Sequence, residues 1–191
     1  MASSKLPIKT WDLTSSDTIY KISTDPSLLD HDFINKAFAS EHMPWARPMS
    51  AEVLQSLLAN SLTFGLYASM PNIKPPTSAQ DPDSPRTPSP TLESDESIWE
   101  QIGMARLVTD HVTVLYFTDM YIDPAYQRRG LGRWTVKCIR EQIQELPVFR
   151  TLLLLTSDPK AREMYEKELN VKNVVDRKDG IICMTRSSYE E

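Results

Sequence analysis

The apolar positions in the first part of the chain predict a strand, two helices and a second strand. Residues 18–23 alternate between polar and apolar side chains, as expected for a half-buried strand. Residues 28–39 and 51–59 repeat their apolar side chains every three or four positions, which places those side chains on one face of a helix. Ser50 is well suited to cap the second of these helices, and residues 62–69 predict the next strand.

The second part of the chain predicts strands that alternate with helices. Two apolar strands joined by a short turn are followed by a helix, a short strand, a second helix and two further strands. Their predicted bounds are 98–108, 112–122, 132–145, 151–156, 160–168, 171–177 and 180–186. The strand at 151–156 is almost wholly apolar, so we expect it to be buried on both faces. This order of elements is typical of an α/β domain.

The segment 71–97 interrupts this pattern between the second and third predicted strands. It holds seven of the fourteen prolines in the sequence, together with many Ser, Thr and Asp residues. Such a composition buries too little apolar surface to offset the entropy of ordering, so we interpret the segment as a long mobile insertion in a hairpin. Three Ser-Pro or Thr-Pro pairs, which begin at Ser84, Thr87 and Ser89, resemble proline-directed phosphorylation sites. A solvated linker is the simpler interpretation.

The composition predicts one domain, residues 1–191, built around a single core. The chain is 40% hydrophobic, and it contains no apolar run near the ~20 residues that a membrane-spanning helix requires. The N-terminus lacks the layout of a secretory signal, so we expect a cytoplasmic protein, with the nucleus as an alternative. The net charge of −5 disfavours a nucleic-acid groove. Cys138 and Cys183 lack metal-ligand spacing and are expected to be core thiols, and no metal site is predicted.

A loop with two of the five glycines, residues 127–132, predicts an anion site. It stands between an apolar strand and a helix, and a helix start presents unpaired amides and partial positive charge. Glycine lets a phosphate approach the backbone closely, and Arg128, Arg129 and Arg133 add charge in the same turn. The ligand is therefore expected to carry a pyrophosphate. Neither a P-loop nor a dinucleotide fingerprint is present, which favours another cofactor.

Together with its upstream strand, this loop resembles the acetyl-CoA signature of the Gcn5-related N-acetyltransferase (GNAT) family. The family pattern is a strand ending in V-x-P-x-Y, followed by Q/R-x-x-G-x-G/A. Its positions are filled here by Ile122, Pro124, Tyr126, Gln127, Gly130 and Gly132. Residues 158–171 resemble a second family motif, N-x-x-A-x-x-x-Y-E-K-x-G-F. Asp158 replaces Asn in this motif, and Asn170 replaces Gly, although Asn also adopts the left-handed conformation that ends a helix.

The resemblance implies a fold and an activity. The fold is a GNAT-like mixed central sheet of about six to seven strands with helices on both faces, splayed at the strand before the phosphate loop. The activity is an acetyl-CoA-dependent N-acetyltransferase that moves an acetyl group directly to a primary amine, with a small-molecule amine as the favoured acceptor. A protein or peptide amine is an alternative acceptor, and a non-catalytic acyl-CoA sensor is an alternative function. Nothing in the sequence decides between a monomer and a homodimer.

The resemblance also implies a set of cofactor-binding residues. The end of the strand would bind the acetyl and pantetheine groups through its backbone, and the loop amides would bind the pyrophosphate. The full set is Met120, Tyr121, Ile122, Gln127, Arg128, Arg129, Gly130, Leu131, Gly132, Arg133, Asp158 and Tyr165.

Two residues are expected to be catalytic. Tyr165 matches the family tyrosine that can protonate the departing thiolate. Asp119 is a candidate base or amine anchor, against the alternative of a structural hydrogen-bonding carboxylate. In a regular strand Asp119 and Met120 would point to opposite faces, so this role requires a local bulge.

The acceptor side is expected at Glu41, His42 and Trp45, in the loop before the second helix. The N-terminal helical region usually forms the acceptor wall in the family. An aromatic face can hold an organic cation, and histidine titrates near neutral pH. Packing of Trp45 at the rim of the core is the alternative interpretation.

Overall fold

A six-stranded sheet forms the centre of the structure, a computed structural model that describes residues 6–15, 18–70, 98–176, 178, 180 and 184. The strands are β1 (Thr10–Ser15), β2 (Thr18–Ser23), β3 (Leu62–Met70), β4 (Ile98–Thr109), β5 (Val114–Ile122) and β6 (Thr151–Leu154). They lie in chain order across the sheet. Neighbouring strands are antiparallel, except that β5 and β6 are parallel.

Four α-helices cover the two faces of this sheet. They are α1 (His31–Phe38), α2 (Ala51–Ala59), α3 (Leu131–Ile143) and α4 (Pro159–Leu169). Met104 of β4 packs with the apolar faces of α1 and α2. The next residue, Ala105, packs in the cluster that contains the apolar faces of α3 and α4. Since consecutive strand residues point to opposite faces, the two helix pairs lie on opposite sides, and the predicted mixed sheet with flanking helices is confirmed.

Most predicted elements are present, and the capping residues explain where two of the helices start. Ser50 accepts a hydrogen bond from the Val53 amide and caps α2, as predicted. The helix predicted from residue 28 begins instead at His31, because the Asp30 carboxylate accepts the amides of Asp32 and Phe33. The residues before it, Pro26–Leu28, form a separate short 3-10 turn.

The expectation that strand 151–156 is buried on both faces is wrong. Strand β6 ends at Leu154, pairs only with β5 among the described residues, and leaves Leu153 48% exposed. The apolar sequence of β6 is therefore not evidence that both faces of the strand are buried. Strand β1 was not predicted; it pairs with β2, and Trp11 stacks on Phe64 of β3.

The end of the chain also departs from the prediction. Residues 171–176 contain a short 3-10 turn, Val174–Asp176, instead of a strand. The Asn173 side chain accepts the Val175 amide, and its carbonyl accepts the Asp176 amide, which closes a turn in place of extended pairing. Of the strand predicted at 180–186, only residues 180 and 184 are described, and Cys183 lies outside the described residues.

The predicted insertion 71–97, with its Ser-Pro and Thr-Pro pairs, also lies outside the described residues. Its two ends are well placed, because Met70 and Ile98 pair in the β3–β4 ladder. The segment therefore joins the adjacent ends of two neighbouring strands. Cys138 is buried, as predicted, and burial raises the pKa of its thiol to about 12. No helix in the described part of the chain has the length and hydrophobicity needed to cross a membrane.

Helix α4 ends at Asn170, which has the left-handed conformation expected from the sequence, with φ of 55° and ψ of 32°. We expect Asn170→Ala to lower the free energy of unfolding by about 1 kcal/mol, since a Cβ without a compensating polar group is strained there. Asn170→Gly should preserve or slightly raise it. Urea unfolding of the three proteins measures the difference, and equal stabilities of the Ala and Gly variants would contradict the assignment.

Candidate functional site

Strands β5 and β6 separate after a short parallel pairing. Val114–Phe117 pair with Thr151–Leu154, after which β6 ends and β5 continues to Ile122. Along residues 118–122, β5 therefore has no strand partner on its β6 side within the described chain. This is the splay expected at the strand before the phosphate loop. Backbone donors and acceptors along the open edge are available to a ligand.

A bulge lies at the point where β5 leaves its partner. The β4–β5 register runs from Met104 opposite Tyr121 to Arg106 opposite Thr118, so Asp119 and Met120 share the space opposite one β4 residue. Asp119 has a φ of +52°, which is unusual outside glycine. The local bulge that the sequence argument required is therefore present.

The bulge directs the Asp119 side chain into a network with Arg106 and Trp45. Asp119 is 6% exposed, and its Oδ2 forms a salt bridge of 2.7 Å with Arg106 Nε. Its Oδ1 accepts hydrogen bonds of 3.1 Å from Trp45 Nε1 and from Thr118 Oγ1. Both carboxylate oxygens are thus engaged, and Asp119 connects β4, β5 and the loop between α1 and α2.

Sequence reasoning missed Arg106, although a signal was available. Arg106 is the one charged residue in the otherwise apolar run 102–108 of β4, and a buried charge requires a partner. Its side chain is 13% exposed. It also lines a cavity of about 530 Å³ between α2 and β4, together with Val53, Leu57 and Val108. Arg106 therefore both pairs with Asp119 and lines this cavity.

The loop after β5 is held by its own side chains. Asp123 accepts the Ala125 amide at 2.9 Å and caps a short 3-10 turn, and Gln127 Nε2 donates to the Ile122 carbonyl at 2.9 Å. Arg128 and Gly130 follow with φ values of 62° and 80°. These left-handed residues turn the chain directly into α3.

The start of α3 is open for an anion. Gly130 occupies the cap position and provides no side-chain hydrogen bond, and the first main-chain bond runs from Trp134 N to Gly130 O. The amides of the first turn consequently have no partner within the helix. A Cβ built on Gly130 would meet no atom within 4 Å, whereas one built on Gly132 would lie 3.6 Å from the Ile122 side chain. The first turn of α3 therefore packs beside the open end of β5.

The three arginines of this loop have different surroundings. Arg129 donates to the Tyr20 hydroxyl at 3.1 Å and to the Ala125 carbonyl at 3.0 Å. Arg133 Nε forms a salt bridge of 2.7 Å with the buried Glu168 of α4. Arg128 is exposed and has no side-chain partner among the described residues. Of the three guanidinium groups, that of Arg128 is therefore the one that the described residues leave unused.

Tyr165 lies in α4 at the vertex of the splay. Its ring meets Phe117, the last β5 residue that pairs with β6, edge to face at a centroid distance of 5.4 Å. It is 8% exposed, and burial, with a smaller contribution from Asp158, raises the pKa of its hydroxyl to about 12. Glu168, also missed by the sequence argument, holds α4 against α3 through Arg133.

The remaining predicted residues are divided between structural and exposed positions. Asp158 caps α4 by accepting the Lys160 amide at 2.8 Å. The side chain of Tyr121 packs with Phe33 of α1, and that of Leu131 is buried in the core, so each offers only its backbone to the cleft. Glu41 and His42 are exposed, and of the three predicted acceptor-side residues it is Trp45 that the structure joins to Asp119.

Comparisons with known proteins identify the family of this chain. The family described as "Acetyltransferase (GNAT) domain" matches residues 93–168. A candidate acetyltransferase of Gibberella zeae is 37% identical over 154 residues, which cover 81% of this chain and 80% of the relative.

Solved structures show the same fold. A candidate GNAT-family acetyltransferase from Xanthomonas campestris pv. campestris superposes with a TM-score of 0.57 and 21% identity, over 88% of this chain and 92% of the other. A candidate acetyltransferase of Clostridium acetobutylicum, solved with acetyl-CoA, has a TM-score of 0.51 and 13% identity, over 88% and 96% of the two chains.

The raised pKa of Tyr165 predicts how stability changes in alkali. The folded protein keeps the phenol proton up to about pH 12, whereas the unfolded chain loses it near the ordinary value of 10. The stability contributed by the buried neutral phenol is present below pH 10 and is lost as the pH rises toward 12. In Tyr165→Phe, the free energy of unfolding in urea should fall less between pH 8 and 11 than in the unmodified protein. Tyr116→Phe, at an exposed tyrosine, is the control, and identical pH slopes for the two variants would contradict the assignment.

Proposed function

The chain belongs to the Gcn5-related N-acetyltransferase family, and on that premise we propose that it transfers an acetyl group from acetyl-CoA directly to the primary amine of a small molecule. The family uses acetyl-CoA as its acetyl donor. The observation that carries the proposal is the uncapped start of α3 beside the unpaired edge of β5. The start of α3 would bind a phosphate group, and the edge of β5 would bind the extended chain of the ligand.

The residues of this cleft fit acetyl-CoA. The free amides of Leu131, Gly132 and Arg133, with the positive end of the α3 dipole, suit a pyrophosphate. Gly130 leaves open space where a side chain would stand. The backbone of Met120 and Ile122, on the open edge of β5, would hold the pantetheine and acetyl groups. When bound, the cofactor supplies an acetyl group activated as a thioester.

Tyr165 is the proposed general acid. A hydroxyl with a pKa of about 12 stays protonated at neutral pH, so it can donate a proton to a departing thiolate. Its ring is fixed against Phe117, and its helix is fixed to α3 through Glu168. The phenol is therefore held at the vertex of the cleft instead of moving with a loop.

Asp119 is the proposed carboxylate on the acceptor side of the cleft. Its two oxygens already accept hydrogen bonds from Arg106, Thr118 and Trp45. This arrangement favours a carboxylate that anchors the acceptor side over one that removes the amine proton. A water molecule is then the route by which the ammonium loses its proton before attack.

The cavity between α2 and β4 is open to solvent, and we propose it as the place where a small acceptor binds. Its volume of about 530 Å³ leaves room for a small amine. Arg106 connects this cavity to Asp119, which stands on the open edge of β5. An amine bound in the cavity would therefore lie beside the proposed acetyl site.

The cofactor site is tested by charge at Gly130. Gly130→Asp places a carboxylate where the phosphate is proposed to bind, and we expect the affinity for acetyl-CoA to fall by at least about tenfold in calorimetry. Gly130→Asn has nearly the same shape without the charge and should lose less. Gly180→Asp puts the same charge at another glycine with positive φ and should bind normally. Unchanged binding by Gly130→Asp, or no binding by the unmodified protein, would exclude this site.

The acid role is tested at Tyr165. Tyr165→Phe should lower kcat by about 10²-fold, because it removes a positioned proton donor, while the Kd for acetyl-CoA changes by less than about twofold. Tyr116→Phe should leave both constants unchanged. A normal kcat for Tyr165→Phe would rule out the acid role.

The acceptor is tested by assaying a panel of aliphatic and aromatic primary amines beside lysine-containing and free N-terminal peptides. Turnover of the amines supports the proposal. Turnover of the peptides alone would replace it with a protein acetyltransferase, and tight acetyl-CoA binding without turnover of either would indicate a sensor.

A further inference from the structure

The loop between α1 and α2 is attached to the rest of the molecule at three points. Met43 is buried in the cluster beneath α1 and α2. The Asn35 side chain donates to the Met49 carbonyl at 2.9 Å and accepts its amide at 3.1 Å. The third point is the 3.1 Å hydrogen bond from Trp45 to Asp119. This hydrogen bond lies at the bulge where β5 separates from β6, and Tyr121 of β5 also packs against the cluster that holds Met43.

The Trp45 contact depends on a buried ion pair. Asp119 and Arg106 are 6% and 13% exposed, and each supplies the charge partner that the other needs. The bulge turns Asp119 toward the loop, and Arg106 Nε holds its Oδ2 so that Oδ1 faces Trp45. Trp45 itself is 51% exposed, so burial of its ring does not by itself fix its position.

We propose that Arg106 and Asp119 are positioning residues that hold Trp45, and with it the α1–α2 loop, against the bulge of β5 as the wall of the acceptor site. This inference rests on the proposed function, because it assigns the acceptor side of the same cleft. Arg106 acts twice, since it lines the α2–β4 cavity and orients Asp119. Asp119 acts through the Trp45 indole and not by removing a proton from the amine.

The hydrogen bond can be removed at Trp45 and weakened at Asp119. Trp45→Phe keeps an aromatic ring but loses the donor, and Asp119→Asn keeps an acceptor oxygen but loses the charge that strengthens the bond. Each variant should raise the acceptor KM by about tenfold, with kcat and the Kd for acetyl-CoA changed by less than about threefold. Because both act through one contact, the double variant should raise KM no more than the stronger single variant does.

The matched control is a second tryptophan that donates to a carboxylate. Trp11 lies in β1, far along the chain from the Trp45 loop, and its Nε1 donates to Glu141 at 2.6 Å. Trp11→Phe loses the same chemistry and should leave the acceptor KM unchanged. If Asp119→Asn lowers kcat while Trp45→Phe does not, Asp119 is acting as a base, and the proposal is overturned.

A second measurement needs neither acceptor nor turnover. In hydrogen exchange, the amides of Met43 and Ala46, which donate to Ser40 and Met43 carbonyls within the loop, should exchange faster in Trp45→Phe and Asp119→Asn than in Trp11→Phe. Exchange at Val136 in α3 should stay the same in all three. Unchanged loop exchange in both variants would overturn the positioning role, even if no amine is ever found to be a substrate.

Arg106 requires a variant that does not leave a charge buried alone. Arg106→Gln by itself would leave the Asp119 carboxylate without its charge partner, and Asp119→Asn by itself leaves the Arg106 cation without its own, so the two substitutions are combined. The combined variant should unfold cooperatively and reproduce the faster loop exchange. A stable combined variant with normal loop exchange and normal acceptor KM would show that the ion pair serves only the fold.

Discussion

The bulge at Asp119 is the constraint on which both sides of the cleft depend. A non-glycine residue with a φ of +52° is strained, and the salt bridge to Arg106 with two further hydrogen bonds offsets that strain. The extra residue turns the carboxylate toward α1 and α2 and leaves Met120 packed on the α3 side. The attachment of the α1–α2 loop, which we propose as the acceptor wall, thus depends on one local change in the β4–β5 ladder.

The three arginines of the loop at residues 127–133 have different partners. Arg129 donates to the Tyr20 hydroxyl, and Arg133 forms a salt bridge with Glu168. Arg128, the helix dipole and the uncapped amides of α3 then provide the positive field for an anion. The Arg133–Glu168 pair also fixes α4, so the same turn that opens toward a phosphate sets the position of Tyr165.

Local signals predicted most elements and the glycine turn into α3. Ser50 favours the start of a helix and Asn170 the left-handed residue that follows one, and the structure has both residues in those positions. The partners of buried charges were not predicted. Arg106 and Glu168 are ordinary residues in the sequence, and each acquires its role from a residue 13 or 35 positions away. The apolar run of β6 misled the prediction, because hydrophobicity alone does not tell how many faces of a strand are buried, and among the described residues β6 pairs only with β5.

The sequence by itself determined the family, the α/β order and the glycine-rich turn into α3, because these depend on short-range propensity and on motifs whose chemistry is local. The tertiary structure decided which charges meet. It joined Trp45 to Asp119 across 74 positions, placed Tyr165 against Phe117, and paired Arg129 with Tyr20 and Arg133 with Glu168. Such contacts depend on strand register and on one extra residue in a ladder, and neither is encoded at the spacing that periodicity can reveal.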